Sequence, residues 1–250
     1  MMLNCQSHLD LVEGLIDGQA VEVARDTTIL AAVRLLNRSV PTLCHHEGLP
    51  GDGNCRLCLV EINGRMVTSC MYPLRENGFV VETDNEDIRR ARAFVLEMLV
   101  DRCPSSPRLM ALAAEYGVTP EERFKGDDDL CIRCGRCVRA CEINGTAAIG
   151  FAGRGAERSV TGPFFTAPDD CIGCLACAAV CPTGKIVFSE KHGRRSIWGR
   201  EFEMVRCCEC GRPYATPGQL SRPEFAANEI CAQCRRRLMA ADMKRSFTEY

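Results

Sequence analysis

The stretch CIRCGRCVRAC at residues 131–141 is repeated 40 positions further on as CIGCLACAAVCP at residues 171–182. In each copy three cysteines are separated by two residues, and a fourth follows after three more. Three thiolates at this spacing can wrap around three irons of a cubane, whereas the fourth lies too far along the turn and crosses to the other cluster. The repeat therefore predicts two [4Fe-4S] clusters that exchange their fourth ligands.

This exchange sets the ligands that we assign to each cubane. Gly135 and Gly173, inside the two copies, suit the close backbone approach that such turns need. The first [4Fe-4S] cluster is assigned to Cys131, Cys134, Cys137 and Cys181. The second is assigned to Cys141, Cys171, Cys174 and Cys177.

Another set of cysteines, nearer the N-terminus, has the spacing C-x10-C-x2-C-x11-C. It begins in the Gly-rich stretch CHHEGLPGDGNCRLC, whose backbone can fold around a small cluster and donate N–H groups to its sulfurs. The first gap is longer than in the C-x4-C-x2-C pattern of plant-type ferredoxins. We predict a [2Fe-2S] cluster here, with zinc as the alternative. The predicted ligands are Cys44, Cys55, Cys58 and Cys70.

Two histidines, His45 and His46, adjoin the first ligand of this set. They raise the possibility of a Rieske-type centre, in which histidines replace two cysteines on one iron. Four suitably spaced cysteines already suffice, so we interpret both histidines as loop or partner-facing residues.

The surrounding residues predict a β-grasp domain. LVEGLIDGQAVEVARD has two alternating apolar runs around Asp17-Gly18, and CLVEINGRMVTSC has a similar hairpin signal at Asn63-Gly64. Between them, TTILAAVRLLN has apolar residues at helical spacing, with Thr27 or Thr28 as N-cap. Hairpin, helix, hairpin is the order expected of this fold.

The tail has the spacing C-x2-C-x20-C-x2-C. Two knuckles at this separation can close a tetrahedral site of four thiolates, which favours zinc. A one-iron, rubredoxin-like centre or a further Fe–S cluster is the alternative. The basic stretch CRRRLMAADMKR indicates a solvated or partner-docking helix and no nucleic-acid site, because it lacks interleaved aromatic residues. The predicted zinc ligands are Cys207, Cys210, Cys231 and Cys234.

These patterns together predict an α+β protein in four parts. A β-grasp [2Fe-2S] domain is expected at 1–84, and a helical linker with a Pro-Ser break and a terminal Gly117 at 85–126. A bacterial-type two-[4Fe-4S] ferredoxin domain is expected at 127–195, made of short turns with a core too small to be stable without metal. A zinc-ribbon-like module follows at 196–250.

Composition restricts the function further. The chain has 250 residues, 46% of them apolar, and a net charge of −2, so no bulk field attracts it to nucleic acid or membrane. No apolar run approaches the ~18 residues of a membrane span, and no secretory signal is evident, which predicts a cytoplasmic protein. Cysteines in that compartment bind metals more often than they form a disulfide scaffold.

The motifs of substrate-converting enzymes are missing. GFAGRG at residues 150–155 has the order GxxGxG and not the GxGxxG of a dinucleotide-binding turn, and there is no Walker motif. No Ser-His-Asp set or carboxylate dyad can be argued from the sequence. We therefore predict no catalytic residues and expect a chain that conducts electrons between redox centres on other subunits.

The linked motifs over about residues 9–190 resemble the N-terminal Fe–S region of the large iron–sulfur subunit of respiratory complex I. By length they are more similar to the diaphorase iron–sulfur subunit of bidirectional NAD-linked hydrogenases and related formate dehydrogenases. The resemblance implies a flavoprotein partner that oxidises NAD(P)H at FMN, and a second redox partner such as a hydrogenase or formate dehydrogenase. The alternatives are a subunit of a non-NAD complex of the succinate dehydrogenase or fumarate reductase kind, and a metal-stabilised adaptor module.

The sequence departs from this family at two places. The family usually has an extra [4Fe-4S] cluster, held by one histidine and three cysteines, between the two ferredoxin-like regions. Here that place reads DRCPSSPRLMALAAEYG, with Cys103 as its one cysteine and no histidine. We expect this region to keep its helices without metal. The four-cysteine tail is the second departure, and Cys5 and Cys208 have no assigned role.

Overall fold

The structure is a computed structural model that describes residues 10–121, 130–223 and 229–248. Cys5 and the predicted boundary between residues 126 and 127 lie outside these ranges. The chain divides into two compact units, Met1–Arg136 and Cys137–Tyr250. Among the helices that the structure describes, none is long and apolar enough to cross a membrane.

A five-stranded sheet begins the first unit. Both predicted hairpins are confirmed, and Asp17, Gly18, Asn63 and Gly64 have the positive φ that tight hairpin turns require. The strand order is β2-β1-β5-β3-β4, with β1 and β5 parallel. The strands are β1 (Leu11–Ile16), β2 (Gln19–Ala24), β3 (Leu59–Ile62), β4 (Arg65–Thr68) and β5 (Phe79–Glu82).

Helix α1 (Ile29–Leu35) packs on this sheet. The Thr28 hydroxyl accepts a hydrogen bond from the Ala31 N–H at 3.3 Å, which confirms one of the two predicted N-caps. Ile29 and Val33 are fully buried in the same core as Cys58 and Cys70. The β-grasp prediction and the α+β class are therefore confirmed, and the core of the sheet carries two of the predicted ligands.

Two helices follow, α2 (Glu86–Arg102) and α3 (Pro107–Glu115). The Asn85 side chain caps α2 by accepting from the Ile88 N–H at 2.9 Å, and the predicted break lies between the two helices. Gly117 has a φ of +65° directly after the end of α3, as expected of a residue that ends a helix in the left-handed conformation.

The second unit has more regular structure than the sequence predicted. Each cysteine motif contains a short helix that includes its third cysteine, α4 (Arg136–Ile143) and α5 (Ala176–Ala179). An antiparallel pair, β6 (Gly150–Ala152) and β7 (Ser159–Thr161), lies between them. Elements this short show little periodicity, because one or two turns do not repeat an apolar pattern.

A three-stranded antiparallel sheet follows the second motif: β8 (Phe188–Lys191), β9 (Arg194–Ile197) and β10 (Arg200–Glu203). The predicted boundary between residues 195 and 196 falls inside β9. The sheet is held by two hairpin turns, His192-Gly193 and Trp198-Gly199, in which all four residues have positive φ. His-Gly and Trp-Gly are weaker turn signals than Asn-Gly, so the sequence alone did not indicate this sheet.

The tail contains a short ribbon and two helices. Strands β11 (Val205–Arg206) and β12 (Pro213–Ala215) enclose the first cysteine knuckle. Helix α6 (Pro217–Leu220) begins directly after β12, and α7 (Ala232–Thr248) begins at the second knuckle. The basic stretch is therefore helical, as expected, and the side chains described from Arg235 to Lys244 are exposed.

Arg92 joins α2 to its neighbours from a buried position, only 3% exposed. Its guanidinium donates to the carbonyl oxygens of Leu59 and Thr83, and to the Tyr116 hydroxyl at 3.2 Å. These bonds connect the helix to the β-grasp sheet and to the end of α3.

Replacing Arg92 with leucine should lower the free energy of unfolding by about 2–4 kcal/mol, because buried acceptors lose their donor. Arg90, on the same helix, has a side chain that is 76% exposed and ion-paired with Asp87 at the surface, so Arg90→Leu should change it by less than about 0.5 kcal/mol. Urea unfolding of the reconstituted protein, followed by circular dichroism, measures both values. Equal effects of the two substitutions would contradict the role given to Arg92.

Candidate metal centres

The four N-terminal cysteines meet beside the β-grasp sheet. Cys44 lies on the loop after α1, Cys55 and Cys58 lie before β3, and Cys70 follows β4. The backbone N–H groups of Cys44 and Cys55 each donate to the other residue's sulfur at 3.4 Å. The sulfurs of Cys58 and Cys70 are 3.3 Å apart. The structure therefore brings together all four residues predicted for the [2Fe-2S] site.

This arrangement favours thiolates at two of the four positions. Hydrogen bonds from Cys55 and Cys70 lower the pKa of Cys44 to about 2, and a hydrogen bond from Cys70 lowers that of Cys58 to about 6. The same hydrogen bonds raise the pKa values of Cys55 and Cys70, which retain the protons. The thiolate is the form that binds metal, so Cys55 and Cys70 lose their protons when a metal centre binds.

A single tetrahedral ion needs four sulfurs close together. Four thiolates around one zinc, with Zn–S bonds of about 2.3 Å, stand ~3.8 Å apart. Among the described residues, one group of three or more possible ligands has its atoms all within 4.8 Å of one another, and it lies in the tail.

Close contacts explain why two positions of the loop around this set are glycines. A Cβ atom on Gly51 would come within 2.5 Å of the Met71 sulfur, and one on Gly53 within 2.9 Å of the Met71 side chain. Gly53 also has a φ of +63°. The loop thus approaches the residue after Cys70 more closely than a larger side chain would allow.

His45 and His46 have contacts with the protein around them. The Nδ1 atom of His46 accepts the Gly48 N–H at 3.1 Å, and Nε2 of His45 lies 3.3 Å from the Arg34 guanidinium. Burial, together with the charges of Arg34 and Arg136, lowers the pKa of His45. Both imidazoles thus interact with groups of the loop and its neighbours, which favours the interpretation of these histidines as loop residues.

The first cysteine turn of the ferredoxin motif is bound to the β-grasp domain within the first unit. The Asn54 amide donates to the Arg133 carbonyl at 2.8 Å, and Arg102 donates to the Cys131 carbonyl at 3.0 Å. Arg136 donates to the backbone carbonyl of His45. The backbone between Cys131 and Arg136 is thereby fixed beside the Gly-rich loop.

Cys103 lies in the region of the family's missing cluster. It is completely buried at the end of α2, among apolar residues that include Leu96, Val100 and Leu109. The same apolar core includes Cys44 and Cys134, one predicted ligand of the [2Fe-2S] site and one of the first cubane. The region keeps both predicted helices, and its one cysteine is buried in this core.

The four cysteines assigned to the second cubane all belong to the second unit, where Cys141, Cys171 and Cys177 lie in one apolar cluster. Burial raises the pKa of Cys177 to about 11, and the neighbouring Cys174, Cys141 and Cys171 act in the same direction. Backbone N–H groups already point at two of these sulfurs, from Ala148 to Cys141 at 3.2 Å and from Gly173 to Cys171 at 3.5 Å. Such donors stabilise a cluster's negative charge, so the donor set fits an iron–sulfur centre.

The sequence assigns four cysteines to the first cubane, and two of them belong to each unit. Cys131 and Cys134 belong to the first unit, and Cys137 and Cys181 to the second. Burial on its own would raise the pKa of Cys181, but hydrogen bonds from the Thr183 hydroxyl and the Ile186 backbone lower it. Cys137 is buried in the apolar core of the second unit.

The tail contains the most compact ligand group in the described chain. The sulfurs of its four cysteines all lie within 4.8 Å of one another, as one tetrahedral ion requires. The Cys231 N–H donates to the Cys207 sulfur at 3.2 Å, and the Gly211 N–H donates to the Cys207 carbonyl at 2.8 Å in the knuckle turn. The group is formed by Cys207, Cys210, Cys231 and Cys234.

The charges around this group also suit a metal ion. A hydrogen bond from the Arg212 side chain lowers the pKa of Cys210 to about 6, and a backbone hydrogen bond from Cys231 lowers that of Cys207. Burial raises the pKa of Cys234 to about 12, so metal binding at neutral pH displaces a proton from that thiol. Cys208 is exposed and lies outside the group.

Two family models match the chain in the places where these sites lie. Residues 10–86 match a 2Fe-2S iron-sulfur cluster binding domain, and residues 125–188 match a 4Fe-4S dicluster domain. The chain is an iron–sulfur protein.

Relatives of this iron–sulfur protein are subunits of larger redox enzymes. It is 30% identical to an NADH-quinone oxidoreductase subunit of Rhizobium meliloti (strain 1021), and 35% identical to NADPH-Fe(3+) oxidoreductase subunit alpha of Geobacter sulfurreducens. Each alignment covers 80% of this chain and 27% of the relative, so the protein spans about a quarter of their length.

A solved structure of a redox enzyme is also similar to this chain. A chain of the NAD+-reducing [NiFe]-hydrogenase in its H2-reduced state superimposes with a TM-score of 0.60 and 28% sequence identity. The match covers 69% of the iron–sulfur protein and 85% of that hydrogenase chain.

Removing one tail ligand should remove one metal ion. We expect Cys234→Ser to lose about one equivalent of bound metal, because three thiolates and a hydroxyl no longer close a tetrahedral thiolate site. Cys208→Ser, one residue from Cys207 but outside the group, should keep the full content. Elemental analysis of the purified variants measures the difference, and equal metal content in both would exclude the four-cysteine site.

Proposed function

We propose that this chain is the electron-transfer subunit of a multisubunit NAD(P)-linked oxidoreductase. It relays electrons between a flavoprotein subunit, which oxidises NAD(P)H at FMN, and a second redox subunit of the hydrogenase or formate dehydrogenase kind. The similarity to subunits of NADH-, NADPH- and NAD+-linked enzymes, over most of this chain, is the observation that carries the proposal. We expect the complex to be cytoplasmic, since cysteines in that compartment more often bind metals than form disulfides.

The proposal includes three clusters, which supply one-electron steps when bound. Cys44, Cys55, Cys58 and Cys70 hold the [2Fe-2S] cluster. Cys131, Cys134, Cys137 and Cys181 hold the first [4Fe-4S] cluster, on the evidence of their spacing. Cys141, Cys171, Cys174 and Cys177 hold the second, supported by their mutual electrostatic effects.

The residues of the first unit provide a short connection between two of these ligand sets. Cys44 and Cys134 lie in one apolar core, and the Asn54–Arg133 hydrogen bond joins the loops that carry them. Electrons pass between the two clusters through this core in the proposed route, without an additional cluster at Cys103.

The tail is proposed to hold zinc as a structural ion. Its four thiolates would occupy all four coordination positions of the ion and leave none for a substrate, which is typical of structural sites. A closed site contributes directly to folding, and the small ribbon of β11 and β12 has little apolar core of its own.

Purification of the tagged full chain from its native cells, without oxygen, tests the proposed function. An FMN-containing flavoprotein should co-purify, and NADH or NADPH should bleach the visible absorption of the clusters in the complex. Cys58→Ser, which removes one [2Fe-2S] ligand, should leave the complex assembled but lower NAD(P)H-linked turnover by about tenfold or more.

Two outcomes would contradict the proposal. If a flavoprotein co-purifies but NAD(P)H does not reduce its flavin, the complex is of the succinate dehydrogenase kind. Full assembly with unchanged turnover after loss of cubane ligands, for example in Cys174→Ser, would indicate an adaptor module that conducts no electrons.

A further inference from the structure

The only tryptophan of the sequence lies at the turn between β9 and β10, beside the second cubane's ligands. Trp198 and Gly199 have φ values of +55° and +74°. The left-handed region is unfavourable for a tryptophan, so the turn holds this side chain in place at a cost in backbone energy. Neither matched family domain extends to this residue, because the second ends at residue 188.

The indole N–H of Trp198 donates to the sulfur of Cys177 at 3.4 Å. An indole nitrogen can only donate, and a buried N–H usually has an acceptor, so the sulfur serves as that acceptor. A donor that is hydrogen-bonded to a sulfur stabilises negative charge on that sulfur. Trp198 therefore favours negative charge on this sulfur.

Other side chains from the same sheet cover the turn between Cys171 and Cys174. The Phe202 ring lies against Gly173, where a Cβ atom would come within 2.8 Å of the ring. Arg195, only 5% exposed, donates to the Gly173 carbonyl at 2.6 Å and is held by Glu190. An aromatic ring and a buried guanidinium thus pack on the cysteine turn from one side.

Helix α6 of the tail contacts the same turn. The Thr216 hydroxyl donates to the Ile172 carbonyl at 2.5 Å, and Gln219 accepts from Arg195 at 2.9 Å. Thr216 is fully buried and caps α6, directly after β12. The carbonyl groups of Ile172 and Gly173 are therefore bonded to downstream side chains, while the Gly173 N–H donates to the Cys171 sulfur at 3.5 Å.

We infer that residues 188–221 form a cover that sets the reduction potential of the second [4Fe-4S] cluster, with Trp198 as a positioning residue that acts through Cys177. The inference rests on the proposed ligand set. One-electron reduction adds a negative charge that is shared by the cluster sulfurs, and the indole N–H stabilises that charge more in the reduced state. The hydrogen bond therefore raises the potential, without any proton transfer.

Trp198→Phe tests this inference in the full chain after anaerobic reconstitution, since phenylalanine keeps an aromatic ring but has no N–H. In redox titrations monitored by electron paramagnetic resonance, the potential of one cubane should fall. At a fixed applied potential its ratio of reduced to oxidised form should fall about three- to tenfold. The [2Fe-2S] cluster and the other cubane should keep their potentials.

Phe202→Leu is the matched control, because it loosens the same cover without removing a hydrogen bond to sulfur. Added water near the cluster favours the reduced, more negative form, so this change should leave the potential unchanged or raise it. A fall of equal size in both variants would assign the effect to packing. No shift in Trp198→Phe, with all three clusters present, would overturn the inference.

A measurement on the unmutated protein keeps the inference testable if Trp198→Phe does not fold. Because Trp198 is the only tryptophan, labelling with indole-15N tryptophan marks one nitrogen. Pulsed electron paramagnetic resonance should detect coupling between that nitrogen and one reduced cubane, and its absence would overturn the inference. If Cys177→Ser retains both cubanes, the proposed ligand set itself fails.

Discussion

The structure depends on holding cysteine sulfurs close together in spite of the charge that they share as thiolates. Hydrogen-bond donors to sulfur offset this repulsion in both units. In the first unit Cys44 and Cys55 exchange backbone N–H bonds to sulfur. In the second, Ala148 and Trp198 donate to two cubane ligands. The first unit has an apolar core of its own, whereas the tail's core consists of little more than its cysteines, so the tail depends most on its metal site.

The helices between the two ferredoxin-like regions take part in the packing of the first unit. α2 and α3 share an apolar core with Cys103, and Arg92 ties α2 to the sheet. The same apolar core contains Cys44 and Cys134. The segment thus keeps its place in the first unit as a packed connection between ligand sets, and its lone cysteine is part of that packing.

Much of the fold and the kinds of cluster domain could be predicted from the sequence. Asn-Gly and Asp-Gly turns, the Thr28 cap and the end of α3 at Gly117 are local signals, and the structure confirms them. The cysteine spacings indicated which kinds of cluster domain are present, and the family matches agree. The β8–β10 sheet was not readable, because its turns use His192 and Trp198 at positive φ. Nor were the contacts of Trp198, Arg195 and Thr216, which depend on tertiary packing.

The central claim is that twelve cysteines of this chain hold one [2Fe-2S] and two [4Fe-4S] clusters. Mössbauer spectroscopy of the 57Fe-reconstituted full chain tests it most directly. We expect about ten irons per chain, with about one fifth of the signal from a [2Fe-2S] cluster and the rest from cubanes, unchanged in Cys103→Ala. About fourteen irons, with four lost in Cys103→Ala, would contradict it, as would fewer than about eight.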